Sequence, residues 1–150
     1  MNFKYFLLLQ AQILVLGLFS TQAWPQLENR EIVSPDEIES VIKVDAEGLI
    51  NAVNRIENLV LIDSRIIRDR KRGYIEGSIR LPDDKTTCQS LAKYIKSKKN
   101  PVLFYCNGPK CGRSLKAVNK AISCGYKTIY WFRGGIEEWS AKGFPLIKDK

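Results

Sequence analysis

Continuous apolar runs alternating with amphipathic stretches organise this chain. Leu59-Val60-Leu61-Ile62 ends at Asp63, and Pro101-Val102-Leu103-Phe104-Tyr105 and Thr128-Ile129-Tyr130-Trp131-Phe132 repeat the theme. Short uninterrupted runs bounded by polar or turn residues predict strands buried on both faces. Val41 to Val44 predicts a further strand, and Ile79 to Leu81, stopped by Pro82, a weaker one. Between them, Asp45 suits the cap of a helix that keeps Leu49, Ile50, Val53 and Ile56 on one face. Thr86 or Thr87 opens a helix with Leu91, Ala92 and Ile95 inward, ending before Asn100-Pro101. Ser114 begins another, with Leu115, Val118, Ala121 and Ile122 on one side and Gly125 as its left-handed end residue. Gly134-Gly135 turns the chain into a last helix over 136–141, which Gly143 ends. Upstream, Ser34-Pro35-Asp36-Glu37 has the form of a capping box with proline at the first helical position, and predicts a short helix. Strands alternating with helices predict an α/β fold, a mainly parallel sheet with helices on both faces.

The N-terminus follows a different rule. Lys4 precedes an apolar stretch from Leu7 to Phe19, interrupted by Gln10 and Gln12, and then come Ser20, Thr21, Gln22 and Ala23. Basic, apolar and small residues in that order predict a secretory signal peptide cleaved after Ala23. The run is too short to span a bilayer, which needs about 20 apolar residues, so no stable membrane anchor is expected after cleavage. The expected organisation is a signal peptide at 1–23, an arm with the short helix at 24–40, and one domain at 41–150. The mature chain is expected outside the cytoplasm, periplasmic or secreted.

Removing 1–23 takes away Lys4 and no acid, so the formal charge falls from +8 to +7. A basic surface favours anionic partners. The cations group in Arg65 to Arg72 and Lys96 to Lys99, without the interleaved aromatics of a nucleic-acid surface, and no nucleic acid is expected.

The chemistry concentrates in Phe104-Tyr105-Cys106-Asn107-Gly108-Pro109-Lys110-Cys111-Gly112-Arg113-Ser114. Ligands of a parallel sheet bind beyond the carboxyl ends of its strands, where Cys106 falls. Gly108 and Gly112 allow the backbone to curl its amides inward, a helix start lies close by, and Lys110 and Arg113 are cationic. Each of these stabilises a thiolate. Pro109 supplies no N–H. The chain has no histidine, so a cysteine–histidine dyad and most zinc sites are ruled out, and no metal or organic cofactor is implied. What remains is attack by sulfur on a good leaving group, either sulfane-sulfur transfer or thiol–disulfide exchange. All four cysteines, Cys88, Cys106, Cys111 and Cys124, follow the leader, and in an exported chain four cysteines allow three full disulfide pairings.

From about Val41 to Leu146 the chain resembles a single-domain rhodanese of the thiosulfate sulfurtransferase type. Leu61-Ile62-Asp63-Ser64-Arg65 and Gly73-Tyr74-Ile75-Glu76-Gly77 through Pro82 match its early signature, with Tyr74 in place of the usual histidine. Tyr105-Cys106 matches its strand-end nucleophile. Gly125-Tyr126, Gly134-Gly135, Trp139 and Gly143-Phe144-Pro145 match its C-terminal pattern. The resemblance implies a three-layer rhodanese-like fold. It also implies that Cys106 accepts a sulfane sulfur as a persulfide and passes it to a thiol or other thiophilic acceptor. Asn107, Gly108, Lys110, Gly112, Arg113 and the loop amides would bind a small anionic donor.

The loop departs from the family pattern C-x-x-G-x-R-S, because Cys111 stands at the arginine position and Arg113-Ser114 come two residues later. Related phosphatases of this fold carry histidine before the nucleophile and a different spacing, so phosphatase activity is not expected. Cys111 is the expected resolving or disulfide partner of Cys106. A dithiol–disulfide protein and a non-catalytic binding module therefore stand as alternative readings. Asp63 and Arg65 are expected to form a structural pair near the site, Arg133 to face either the anion site or solvent, Cys124 to be a buried small hydrophobe, and Trp139 to pack the last helix.

Overall fold

The computed structural model describes residues 33–148; the expected signal peptide and most of the arm lie outside them. Five strands form one sheet in the order β1-β5-β4-β2-β3. These are β1 (Ile42–Val44), β2 (Val60–Asp63), β3 (Ile79–Arg80), β4 (Val102–Tyr105) and β5 (Ile129–Phe132). Every pairing is parallel. The helices are α1 (Ala46–Arg55), α2 (Ile67–Arg70), α3 (Cys88–Tyr94), α4 (Gly112–Ser123) and α5 (Gly135–Ala141), with a single 3-10 turn at Asp83–Lys85.

The central strand β4 carries the logic of the layers. All four of its residues are buried, and successive side chains point to opposite faces. Val102 and Phe104 enter the core formed with Leu91 and Ile95 near α3 and with Ala117, Val118 and Ala121 of α4. Leu103 and Tyr105 enter the core formed with Ala46, Leu49 and Ala52 of α1 and Trp139 of α5. A strand covered on both sides cannot alternate with polar residues, which explains the unbroken apolar runs. Trp139 does pack α5 onto the sheet, against Phe132 and Phe144, and its indole N–H donates to the Pro145 carbonyl at 2.9 Å.

Capping follows local chemistry. The Asp45 carboxylate accepts from Gly48 N–H at 2.7 Å, and Thr87 with Ser90 forms a reciprocal capping box. Gly125 sits at φ 83°, the left-handed conformation expected after α4.

Four expectations need correction. Residues 34–37 form no helix, because Ser34 bonds Pro109 and Cys111 instead of capping one. Val53, Ala92 and Ile122 are exposed, because each helix offers the sheet a narrower stripe than the apolar spacing suggested. Helix α4 starts at Gly112 rather than Ser114, because Cys111 is its N-cap. Cys124 is not a free small hydrophobe: it forms a disulfide with Cys88, their Cα atoms 5.4 Å apart, stapling the start of α3 to the end of α4.

Candidate active site

The loop from Cys106 to Cys111 leaves the carboxyl end of the central strand β4 and enters α4. Cys106 and Cys111 are joined by a disulfide, with Cα atoms 6.2 Å apart. Both cysteines are buried, Cys106 1% exposed and Cys111 9%, so Cys111 is the more exposed residue of the pair.

The loop is held by its carbonyls. Cys106 C=O accepts from Ile136 N–H at 3.0 Å and Asn107 C=O from Glu137 N–H at 2.7 Å, both at the start of α5. Gly108 C=O accepts from Cys111 N–H at 2.9 Å, and Pro109 C=O from Ser34 N–H at 2.8 Å. Cys111 C=O accepts from Ser34 Oγ at 3.2 Å. A trans peptide sets each N–H opposite the preceding carbonyl, and no peptide among the described residues is cis. The amides of Asn107, Gly108, Lys110 and Gly112 therefore point away from the shell that binds the carbonyls.

Two glycines allow this close docking. A Cβ at Gly108 would run into the Glu137 carboxylate, so this glycine answers a need for space rather than a left-handed turn. Gly135 combines φ 56° with a position where a Cβ would collide with Cys106 C=O.

Arg113 places Nη1 3.8 Å from Cys111 Sγ. The same guanidinium faces two carboxylates, Asp69 at 3.8 Å and Asp83 at 3.8 Å, and Asp83 also meets Lys116 at 3.7 Å. Asp69 accepts from Asn107 Nδ2 at 3.0 Å. Arg113, expected with Lys110 and the loop amides to bind a donor, is thus also engaged by Asp69 and Asp83. Neither aspartate lies in an apolar period or a glycine-rich motif, so no sequence signal marked them. Lys110 is exposed on the loop surface, and Gly112 is half-buried in the first turn of α4.

The residues from Ser34 to Asp36 form a strap across the loop. Arg133 fixes it, donating from Nε to Pro35 C=O at 2.7 Å and from Nη2 to Ser34 C=O at 2.8 Å, with Asp36 3.2 Å away. The Ser34 side chain is thereby spent on Cys111 instead of capping a helix. Arg133 faces the strap, not an anion site.

Beneath the loop lies a buried polar network. Asp63 accepts from Arg65 backbone N–H (3.0 Å), Nε (2.9 Å) and Nη2 (2.7 Å), and from Arg70 Nη1 (3.0 Å). Burial acts to lower the Arg65 pKa, but the hydrogen bond and charge of Asp63 outweigh it and hold it above the ordinary value. Tyr105 Oη lies 2.9 Å from Ser78 Oγ and accepts from Ile75 N–H at 3.3 Å. Burial, reinforced by the Asp63 charge, pushes the Tyr105 phenol well above its usual range. Arg70 stacks on the Tyr74 ring at 3.5 Å. Beside the loop opens a cleft of about 410 Å³, lined among others by Arg65, Asp69, Arg72, Asn107, Glu137 and Ser140.

Residues 45–142 match the model of the rhodanese-like domain. The chain belongs to the rhodanese-like family. This rhodanese-like chain is 27% identical over 112 residues to the uncharacterized protein YibN of Escherichia coli strain K12, covering 74% of this chain and 76% of that protein. Its fold is similar to that of the BH2092 protein of Bacillus halodurans, with TM-score 0.62 and 25% identity over 71% of this chain and 77% of the other. It also matches the thiosulfate sulfurtransferase of Pseudomonas aeruginosa with TM-score 0.63. There the identity is 16%, over 73% of this chain and 21% of that larger one, a likeness of fold. The parallel five-stranded sheet with its helices is the rhodanese-like α/β architecture.

Proposed function

We propose that the protein is a sulfurtransferase in which reduced Cys106 takes a sulfane sulfur from thiosulfate or a related anionic donor and passes it to a thiophilic acceptor. The observation that carries this reading is the outward set of loop carbonyls, bound by α5 and the Ser34 strap. It turns the amides of Asn107, Gly108 and Gly112 toward the opposite edge, where a charged sulfur would sit. The Cys106 thiolate attacks the sulfane sulfur, the donor S–S bond breaks, and sulfite departs with the bonding pair. The charge then sits on the outer sulfur of the persulfide, within reach of the amides, of the Gly112 end of α4 and of Arg113. A thiolate acceptor attacks that outer sulfur and returns Cys106 to its starting state.

In the disulfide, Cys111 Sγ stands where the outer sulfur of a persulfide would be bonded, so catalysis requires prior reduction. Donor and acceptor approach through the cleft beside Asn107, whose guanidinium and carboxylate groups suit small charged thiols. Two disulfides in one small domain fit an oxidising compartment, in keeping with the leader pattern at 1–23, and we place the mature protein outside the cytoplasm.

The test is intact mass of the reduced protein after thiosulfate, with sulfite quantified. The expected result is one added sulfur on Cys106 or its downstream products, with stoichiometric sulfite, and none from Cys106→Ser. Sulfur transfer by Cys106→Ser would end the reading. The closed Cys106–Cys111 bond favours a second reading, dithiol–disulfide exchange with protein or small thiols. That one requires Cys111→Ser to abolish reversible exchange in a folded chain.

A further inference from the structure

Cys111 occupies the position where the family pattern has arginine, and it is covalently bonded to Cys106 across residues 107–110. Resting on the sulfurtransferase reading, we propose that Cys111 gives the protein a second activity: it discharges the Cys106 persulfide internally, releasing the sulfur as hydrogen sulfide. Thiosulfate is thus split into sulfite and sulfide at the expense of the loop dithiol.

The chemistry balances. In the first step Cys106 thiolate takes the sulfane sulfur and sulfite leaves. In the second, Cys111 thiolate attacks the inner sulfur, Cys106 Sγ; the Sγ–Sδ bond breaks, and the outer sulfur takes up a proton from water, one of those the two thiols released on ionising, and leaves with the electron pair as hydrosulfide. The two cysteines are oxidised by two electrons and the sulfane sulfur is reduced by two. Attack on the outer sulfur instead moves the persulfide to Cys111, and Cys106 then displaces the same hydrosulfide from Cys111 Sγ. Both routes end in the disulfide present in the structure.

Three observations favour the internal route. The observed bond demonstrates that the two sulfurs reach each other with α5 and the strap still docked on the loop. The tether gives Cys111 an effective concentration on the order of millimolar or more, which a dilute external thiol does not match. Arg113 Nη1, 3.8 Å from Cys111 Sγ, favours that sulfur as a thiolate, and hydrosulfide is a good leaving group. Continued turnover needs a thiol or dithiol reductant. It would attack at Cys111, the more exposed residue of the pair, and liberate Cys106, the nucleophile of the next cycle.

The experiment is a single turnover: full-length chain reduced, freed of reductant, mixed with excess thiosulfate, and assayed for sulfite, sulfide and alkylatable cysteines by peptide mapping. Wild type is expected to release about one sulfite and one sulfide per chain and, of its four thiols, to lose those of Cys106 and Cys111 to a Cys106–Cys111 bond. Cys111→Ser is expected to release one sulfite and no sulfide, and to retain one added sulfur on Cys106. A wild-type chain that keeps its persulfide with Cys111 still alkylatable overturns the proposal while leaving the sulfurtransferase reading in place. Release of no sulfite by either protein overturns both. The wild-type measurement decides the matter even if Cys111→Ser folds poorly.

Discussion

Replacing Asp63 by asparagine removes one negative charge from beneath two guanidinium groups while keeping the shape of the side chain. Asp63 is fully buried, and Arg65 and Arg70 are 2% and 8% exposed, so water cannot take over the lost role. Four donors converge on the carboxylate, three of them from the charged ends of Arg65 and Arg70. Breaking a buried ion pair by removing one partner costs about 3–5 kcal/mol, because the remaining charge stays uncompensated. The amide oxygen keeps one or two of the hydrogen bonds, which places the expected loss near the lower bound, about 3 kcal/mol. For a domain of this size that corresponds to a Tm lowered by roughly 10–15 °C. Urea unfolding followed by circular dichroism measures it directly: the midpoint should fall with the slope unchanged. The damage should also reach the site, since Arg65 Nη1 holds the Asp69 carbonyl at 3.4 Å and Asp69 in turn holds Asn107 and Arg113. An Asp63→Asn protein within about 1 kcal/mol of wild type would refute this account of the network, because it would mean that the two cations are otherwise compensated.

Other outcomes follow from the same structure. Arg133→Gln removes two charged donors from the strap and should cost ~1–3 kcal/mol; reduction of the Cys106–Cys111 bond by dithiothreitol should accelerate severalfold while the Cys88–Cys124 bond serves as internal reference, and equal acceleration of both would argue against a strap effect. The double change of Cys88 and Cys124 to serine opens a ring of sequence separation 36 and should cost ~4 kcal/mol on the chain-entropy relation, read as a lower unfolding midpoint under non-reducing conditions. Because the Tyr105 pKa is raised in the folded state, its contribution to stability is complete below the unfolded value of 10.0 and is lost as pH rises above it. Alkaline titration of tyrosine absorbance should leave one phenol un-ionised until the chain unfolds, and Tyr105→Phe should flatten the alkaline loss of stability. Titration of all tyrosines together near pH 10 would contradict this.

The sheet was legible because its strands are buried on both sides. Leu61-Ile62 and Leu103-Phe104 have no polar interruption for a physical reason, and Cys106 could be placed at a strand end from that alone. The caps at Asp45 and Thr87 were legible because they are local. Ser34 was not: Ser-Pro-Asp-Glu carries the same local signal whether the serine caps a helix or finds a partner 77 residues away. The partners of Arg113 were hidden likewise, since Asp69 of α2 and Asp83 of the 3-10 turn come from separate segments that only the folded sheet brings together. Spacing alone could not choose Cys88 for Cys124 among the three pairings. The apolar spacing of α1, α3 and α4 overstated their buried faces, because Val53, Ala92 and Ile122 lie just beyond the strip that touches the sheet.

The strap has a practical corollary for anyone who would excise this module. The family match runs over residues 45–142 and leaves out the edge strand Ile42–Val44, the serine that grips the cysteine hairpin, and the Tyr74–Ile147 bridge. A fragment trimmed to those limits would keep every residue of the Cys106–Cys111 loop and still lose the brace that shapes it, so its chemistry would misrepresent the parent.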